Sequence, residues 1–265
     1  MIRLIATDLD GTLLNNEHKI SDYNKKIISA INEKGIKFIL STGRPTSAAT
    51  KFLEDLNIET DMISFNGAMI TDRKGNILYE DNLESHIGKE LIEIAKKYKV
   101  YYQGFLGERW NLSDSKSKWL DFYISIAKIN NYKLGFDNIK DFSFSKFMFI
   151  GENHILKEIA KEIDKKLKDK VYYTFSRPVY LEVHSPKVSK ANALYFLLKK
   201  YNIERENIMA FGDNNNDIEM LELAKISVAV ENAESIVKEK AKYITKSNIE
   251  NGVGYFINEY FNLGL

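Results

Sequence analysis

There is no cysteine anywhere in the 265 residues, which removes disulfide bonds, thiolate metal sites and a cysteine nucleophile together. Any metal ligand must then be oxygen or imidazole. Charge of one sign is missing too: 38 basic against 37 acidic residues leave a net charge of +1, which gives no footprint for nucleic acid or an anionic membrane surface. An anionic substrate would have to be recognised locally. No apolar stretch is long enough to span a bilayer, and the run Ile2 to Ala6 is soon interrupted by Asp8 and Asp10, unlike the core of a signal segment. A cytoplasmic location is therefore expected. Internal repeats and low-complexity tracts are absent as well. With 44% apolar and 28% charged residues the composition is that of a globular chain, long enough for one large domain or two ordinary ones.

What is present begins with Asp8-Leu9-Asp10-Gly11-Thr12, directly after an apolar run that reads as a buried strand. Residues two apart in an extended chain point the same way, so the two carboxylates share a face, and Gly11 lets the chain turn away. One acid can attack while the other carries a proton. Ser21 to Lys34 shows Ile27, Ile28 and Ile31 at helical spacing, with Ser21 as N-cap and Gly35 beyond the end. A second apolar run, Ile36 to Leu40, delivers Ser41-Thr42-Gly43-Arg44-Pro45 and a helix to about Leu56. A third strand is expected from Met62 to Ile70, carrying Asn66-Gly67-Ala68, and the turn Arg73 to Asn76 predicts a hairpin to Ile77–Glu80. This alternation of strand and helix implies a parallel sheet with right-handed crossovers.

From about Leu83 the texture changes to aromatic strands, Val100 to Leu106 and Val171 to Phe175, between Lys/Glu-rich helices such as Asn153 to Lys168. The strand-helix alternation returns near Ser189, with a strand at Ile208 to Phe211 running into Gly212-Asp213 and another at Ile226 to Val230. The expected architecture is α/β: a doubly wound parallel-sheet core made of residues 1–82 and 187–265, with an α+β domain, residues 83–186, inserted. In the insert, Tyr101, Tyr102, Phe105 and Trp110 can be read as a substrate-facing wall or as core. Glu182 and His184 alternate with Leu181 and Val183, and read equally as sugar-hydroxyl contacts or as the outer face of a half-exposed strand.

Asp8 and Asp10, Thr42, Lys190, and Gly212-Asp213 with Asn216-Asp217 each fall at the carboxyl end of an expected strand or the start of a helix, which an open parallel sheet gathers into one crevice. Aspartates clustered this way repel unless a cation sits among them, and an all-oxygen ligand set points to a hard ion, Mg²⁺ first.

Taken together, these motifs resemble the haloacid dehalogenase superfamily of phosphohydrolases, in its Cof-type sugar-phosphatase branch with a large C2-type cap. Asp8 to Thr12 corresponds to the first motif, Thr42-Gly43-Arg44 to the second, Ser189-Lys190 to the third and Gly212 to Asp217 to the fourth; Asn66-Gly67-Ala68, Asn232-Ala233 and Asn248 to Val253 are smaller matches. Ala191 stands where the family usually has glycine, and Val230-Glu231 where Met-Gly is common. Neither change removes a catalytic side chain. The resemblance implies Asp8 as the nucleophile that forms an aspartyl-phosphate, and Asp10 as general acid and base. It implies Mg²⁺ held by Asp8, Asp213 and the backbone carbonyl of Asp10. Thr42, Gly43, Lys190 and Asn216 would contact the phosphoryl group, Asp217 would orient Lys190 or a metal-bound water, and Arg44 and Asn66 are further candidates for substrate contact, Arg44 reading equally as a structural ion-pair partner. The expected reaction is hydrolysis of small soluble phosphomonoesters, sugar phosphates first, by a monomer or weak homodimer without nucleic-acid or membrane partners. A sugar phosphomutase or phosphotransferase, and a phospho-accepting signalling module, are the alternatives.

Overall fold

Leu4–Thr7 (β1) is buried along its whole length, and its side chains divide between two cores: Ile5 joins Phe38, Leu40 and Phe211 on one face, while Leu4 and Ala6 join Ile39 and Ala210 on the other. A strand covered on both faces gains about 2 kcal/mol for each Leu or Ile it buries, which is why these short runs read as continuously apolar rather than alternating. The structure is a computed structural model that describes residues 1–127 and 129–265. The chain packs as two units, residues 1–79 with 189–265, and residues 80–188. Among the described residues no helix is long and apolar enough to cross a membrane.

In chain order the first part of the core unit is β1, α1 (Asp22–Glu33), β2 (Lys37–Ser41), α2 (Thr46–Leu56), β3 (Met62–Ser64), β4 (Met69–Thr71) and β5 (Ile77–Glu80). The insert contributes α3 (Ser85–Tyr98), β6 (Tyr101–Leu106), β7 (Arg109–Leu112), α4 (Lys118–Ala127), β8 (Tyr132–Leu134), β9 (Lys146–Ile150), α5 (Asn153–Leu167), β10 (Tyr172–Arg177) and β11 (Tyr180–His184). The core resumes with α6 (Lys190–Tyr201), β12 (Ile208–Gly212), α7 (Ile218–Leu223), β13 (Ile226–Ala229), α8 (Ser235–Lys240), β14 (Tyr243–Ile244) and α9 (Gly252–Phe261).

The core sheet has the order β14-β13-β12-β1-β2-β3-β4-β5, parallel from β14 to β3 and antiparallel between β3 and β4. Helices α1, α2 and α9 cover one face, and α6 and α7 the other, with Val237 of α8 beside them. Ser21 caps α1 as its position suggests, its hydroxyl accepting from the amide of Asn24. One expectation is corrected. Met62 to Ile70 is not a single strand but two, β3 and β4, reversed by a tight turn in which Phe65, Asn66 and Gly67 all have positive φ.

The insert is a six-stranded sheet, β10-β11-β9-β6-β7-β8, antiparallel except between β7 and β8. On one face α3 and α5 bury Leu91, Ala95, Leu156, Ile159 and Ile163 against Phe147, Phe149, Leu181 and Val183. Strand alternation sends Lys146, Met148, Glu182 and His184 to the opposite face. Tyr101, Phe105 and Trp110 are buried, and Phe105 stacks on Trp110 at 5.9 Å.

Gly67 stands at a close approach between two segments of the core. Its φ is +105°, and a Cβ there would lie 2.2 Å from the carbonyl oxygen of Ser189, the residue before α6. Gly67→Ala is expected to cost about 3 kcal/mol from combined strain and overlap, lowering the thermal midpoint by roughly 5–10 °C. Calorimetry of the variant beside wild type checks this; an unchanged midpoint would show that the turn is not pinned there.

Candidate active site

Because β12, β1 and β2 are neighbours in register, their carboxyl ends bring Asp213, Asp8 and Thr42 to one edge of the sheet. Asp8 continues the ladder, its amide donating to the carbonyl of Phe211 at 3.1 Å. The next turn carries Asp10, Gly11 and Thr12 towards β12, where the Thr12 hydroxyl donates to Asp213 Oδ1 at 2.6 Å. Gly11 has φ +84°, and any Cβ there would sit 2.5 Å from Asp213 Oδ2. Only glycine allows that approach. The loop is held from behind by Asn232, which donates to the Gly11 carbonyl at 2.7 Å, and by Asn248, which donates to the Leu14 carbonyl at 2.8 Å and whose amide donates to Asn232 Oδ1.

At the start of α6, Lys190 is almost wholly buried, and its ammonium lies 2.5 Å from Asp8 Oδ1 and 2.6 Å from Asp217 Oδ1. The other oxygen of Asp217 accepts the amides of Asp213 at 3.0 Å and Asn214 at 3.1 Å. Asp217 is thereby committed to orienting Lys190 and folding the Asp213 loop. Burial alone would strip the proton from Lys190; the carboxylates of Asp217 and Asp8 outweigh it and hold the proton firmly. Asp8 moves the other way from an ordinary carboxyl, its pKa raised by burial, which Lys190 offsets in part while Asp217, Asp213 and Asp10 add to the rise. Asp213 is pushed up to about 6 by burial and by Asp217.

Ligand oxygens of Asp8, Asp213 and Asp217 lie within 4.8 Å of one another. Three carboxylates share one ammonium, so the site is short of positive charge. Its oxygen-only donor set suits a hard divalent cation.

Around β2, the Thr42 hydroxyl accepts the Arg44 amide at 3.1 Å, and the Thr42 carbonyl accepts the Asn66 amide at 3.0 Å. Asn66 Oδ1 accepts from the side-chain amide of Asn216 at 2.9 Å, and a Cβ on Gly43 would meet that same Asn66 oxygen at 2.7 Å. Asn66 and Asn216 thus join the β2 and β12 loops. Arg44 turns to Asp10: Nε donates to Oδ2 at 2.6 Å and Nη2 to Oδ1 at 2.5 Å. Burial raises Asp10's pKa, but the Arg44 hydrogen bond and charge, with His18 and Lys190 adding, bring it below the usual value. His18 Nδ1 is 3.7 Å from Asp10 Oδ1; the sequence reading misses it, and a lone histidine in a turn offers no pattern from which to find it. Glu182 and His184 find their partners inside the insert. Glu182 pairs with Lys146 at 2.6 Å and accepts from Ser176 at 2.7 Å. His184 Nδ1 lies 3.2 Å from the Ser145 carbonyl.

With this geometry in place, the comparison with known proteins is decisive. The haloacid dehalogenase-like hydrolase family matches residues 5–257. The chain belongs to that family. As a haloacid dehalogenase-like hydrolase it is similar to a 5-amino-6-(5-phospho-D-ribitylamino)uracil phosphatase of Bacillus subtilis, 34% identical over 98% of this chain and 96% of the relative. A second phosphatase of that description from the same organism is 31% identical over 97% of this chain and 98% of its own. A haloacid dehalogenase-like hydrolase from Bacteroides thetaiotaomicron has the same fold, with a TM-score of 0.91 at 29% identity over 98% of this chain and 100% of that one. The protein is a phosphomonoester hydrolase of this family.

The raised Asp213 carboxyl predicts a pH dependence of stability. Between the unfolded value of about 4 and the folded value of about 6, the native state keeps a proton the unfolded state has released, so stability falls as pH rises through that window. In EDTA the thermal midpoint should decline from pH 4.5 to 6.5, and Asp213→Asn should flatten the slope by about 1–3 kcal/mol over the window. Parallel curves for the two proteins would remove Asp213 as the cause.

Proposed function

We propose that the protein is a Mg²⁺-dependent phosphatase of phosphorylated sugars and polyols that works through an aspartyl-phosphate on Asp8. The observation that carries this reading is the buried Asp8–Lys190–Asp217 line beside Asp213. It puts the carboxylate we assign as nucleophile beside the Lys190 ammonium, with ligand oxygens of Asp213 and Asp217 within 4.8 Å of its own. The carboxylates of Asp8 and Asp213 and the backbone carbonyl of Asp10 would hold Mg²⁺. When bound, the ion supplies positive charge that lets a carboxylate approach a phosphate dianion.

Asp8 attacks phosphorus in line with the leaving oxygen, and the P–O bond to the leaving group breaks as the acyl phosphate forms. Lys190 neutralises charge on the equatorial oxygens, with the Thr42 hydroxyl and Gly43 amide as hydrogen-bond donors. Asp10 gives its proton to the leaving alkoxide, then takes one from the water that attacks the acyl phosphate and returns Asp8 as a carboxylate. A proton carrier beside the nucleophile favours turnover over a long-lived phospho-protein. The leaving groups suggested are alcohols of a sugar or polyol chain, the class to which the ribityl phosphate named for the two Bacillus relatives also belongs.

A panel of phosphorylated metabolites assayed for free phosphate tests the substrate class. Asp8→Asn is expected to keep the fold and lose at least about 10⁴-fold in turnover, since the amide is a poor nucleophile. EDTA should abolish activity, Mg²⁺ should restore it, and Ca²⁺ should restore little because its looser coordination misaligns the attacking oxygen. Comparable phosphate release from folded Asp8→Asn protein, or full activity in EDTA, would overturn the proposal.

A further inference from the structure

Asp10 is held by more than its ion pair with Arg44. A carboxylate offers about four lone-pair positions over its two oxygens. The Arg44 fork takes one on each oxygen. His18 approaches Oδ1, the oxygen that already receives Arg44 Nη2, with Nδ1 at 3.7 Å. Among the described residues no other hydrogen bond or ion pair reaches the carboxylate, which leaves the second lone pair of Oδ2 without one.

The turn that presents His18 is held by its own hydrogen bonds. Asn15 Oδ1 accepts the amides of Glu17 and Lys19, each at 3.0 Å. The Asn15 amide donates to the Lys19 carbonyl at 3.0 Å, and the His18 amide to the Asn15 carbonyl at 2.9 Å. These bonds hold His18 at φ +56°, a left-handed conformation that costs a non-glycine residue about 1 kcal/mol or more. Strain kept in place by surrounding bonds marks positions where the direction of a side chain matters.

We infer that His18 is a positioning residue for Asp10: by engaging Oδ1, which already receives Arg44, it leaves Oδ2 as the oxygen that passes the proton. The inference rests on the reading of Asp10 as the proton carrier. In the first step the Oδ2–H bond breaks as the leaving oxygen gains the proton; in the second, Oδ2 takes a proton from the attacking water. The 3.7 Å separation is longer than a hydrogen bond, so the inference requires it to shorten when substrate is in place, as catalytic contacts commonly do. Either a neutral imidazole protonated at Nδ1 or an imidazolium can make the contact, so the role does not depend on the charge of His18.

Two substitutions separate the side chain from the backbone. His18→Gly keeps the left-handed turn and removes the donor; His18→Asn also tolerates positive φ and places an amide N–H near the position of Nδ1. The measurement is kcat and KM, with Mg²⁺ present, for an alkyl ester such as a hexose 6-phosphate and for p-nitrophenyl phosphate, whose leaving group needs no proton. His18→Gly is expected to raise the aryl-to-alkyl ratio of kcat about tenfold, with KM for the alkyl ester little changed, since misplacing a reacting group acts on turnover. His18→Asn should return the ratio towards wild type. An unchanged ratio in His18→Gly, or no recovery in His18→Asn, would overturn the inference. Asp10→Ala in the same assay distinguishes the two levels. If it leaves the ratio unchanged, the proton-carrier reading fails and His18's role with it; if it raises the ratio while His18→Gly does not, only the role of His18 fails.

Discussion

Lys190, buried between Asp8 and Asp217, is the interaction on which the other loops depend. Removing three charged groups from water costs several kcal/mol for each ion, and the mutual attraction offsets that only where the geometry is close and the remaining lone pairs are filled. The surrounding chain meets both conditions. Two backbone amides saturate the second oxygen of Asp217, so the loop after β12 cannot shift without uncovering a buried charge. Ser189 caps α6, its hydroxyl accepting the amide of Asn192 at 3.1 Å, which fixes the helix start and the direction of the Lys190 side chain. Glycines stand where these segments meet: a Cβ on Gly212 would lie 2.4 Å from Asp217 Cβ, as one on Gly11 would collide with Asp213.

Four aspartates of identical intrinsic chemistry are thereby given different properties. Asp217 has every oxygen occupied and serves as an orienting group. Asp8 and Asp213 are buried with too little positive charge around them, and both bind protons more tightly than usual. Asp10, against the Arg44 guanidinium and near His18, binds its proton less tightly. The division comes from neighbours alone: two carboxyls short of positive charge lie beside one that is well supplied with it.

Much of this is legible in the sequence because parallel strands buried on both faces leave short, unbroken apolar runs, and the polar residues after them mark one edge of the sheet. Asp8, Thr42 and Asp213 can be placed together on that basis, and the Ser21 cap and the β1–α1–β2 order come from spacing. The turn at Phe65–Gly67 is not legible. Asn66-Gly67 is a turn signal, but it lies between apolar residues on both sides, and periodicity alone reads it as strand interior. β9 is hidden as well, because Lys-Phe-Met-Phe-Ile is buried on both faces of the insert's sheet and shows no alternation. Lys146, which pairs with Glu182, belongs to that strand, so the partner of Glu182 is hidden along with it. For Arg44 the sequence leaves substrate contact and ion pairing open, since either suits a guanidinium at a strand end; only the fold brings Asp10 within its reach.

The chain leaves the core after β5 and returns at Ser189, where it is fastened within two residues. The Ser189 carbonyl is packed against Gly67, its hydroxyl caps α6, and Lys190 reaches two carboxylates. The groups that make this anchorage, Gly67, Asp8, Asp217 and the first turn of α6, all belong to residues 1–79 and 189–265. The direction of Lys190 is therefore set by contacts made within the unit that carries it, at the point where that unit resumes.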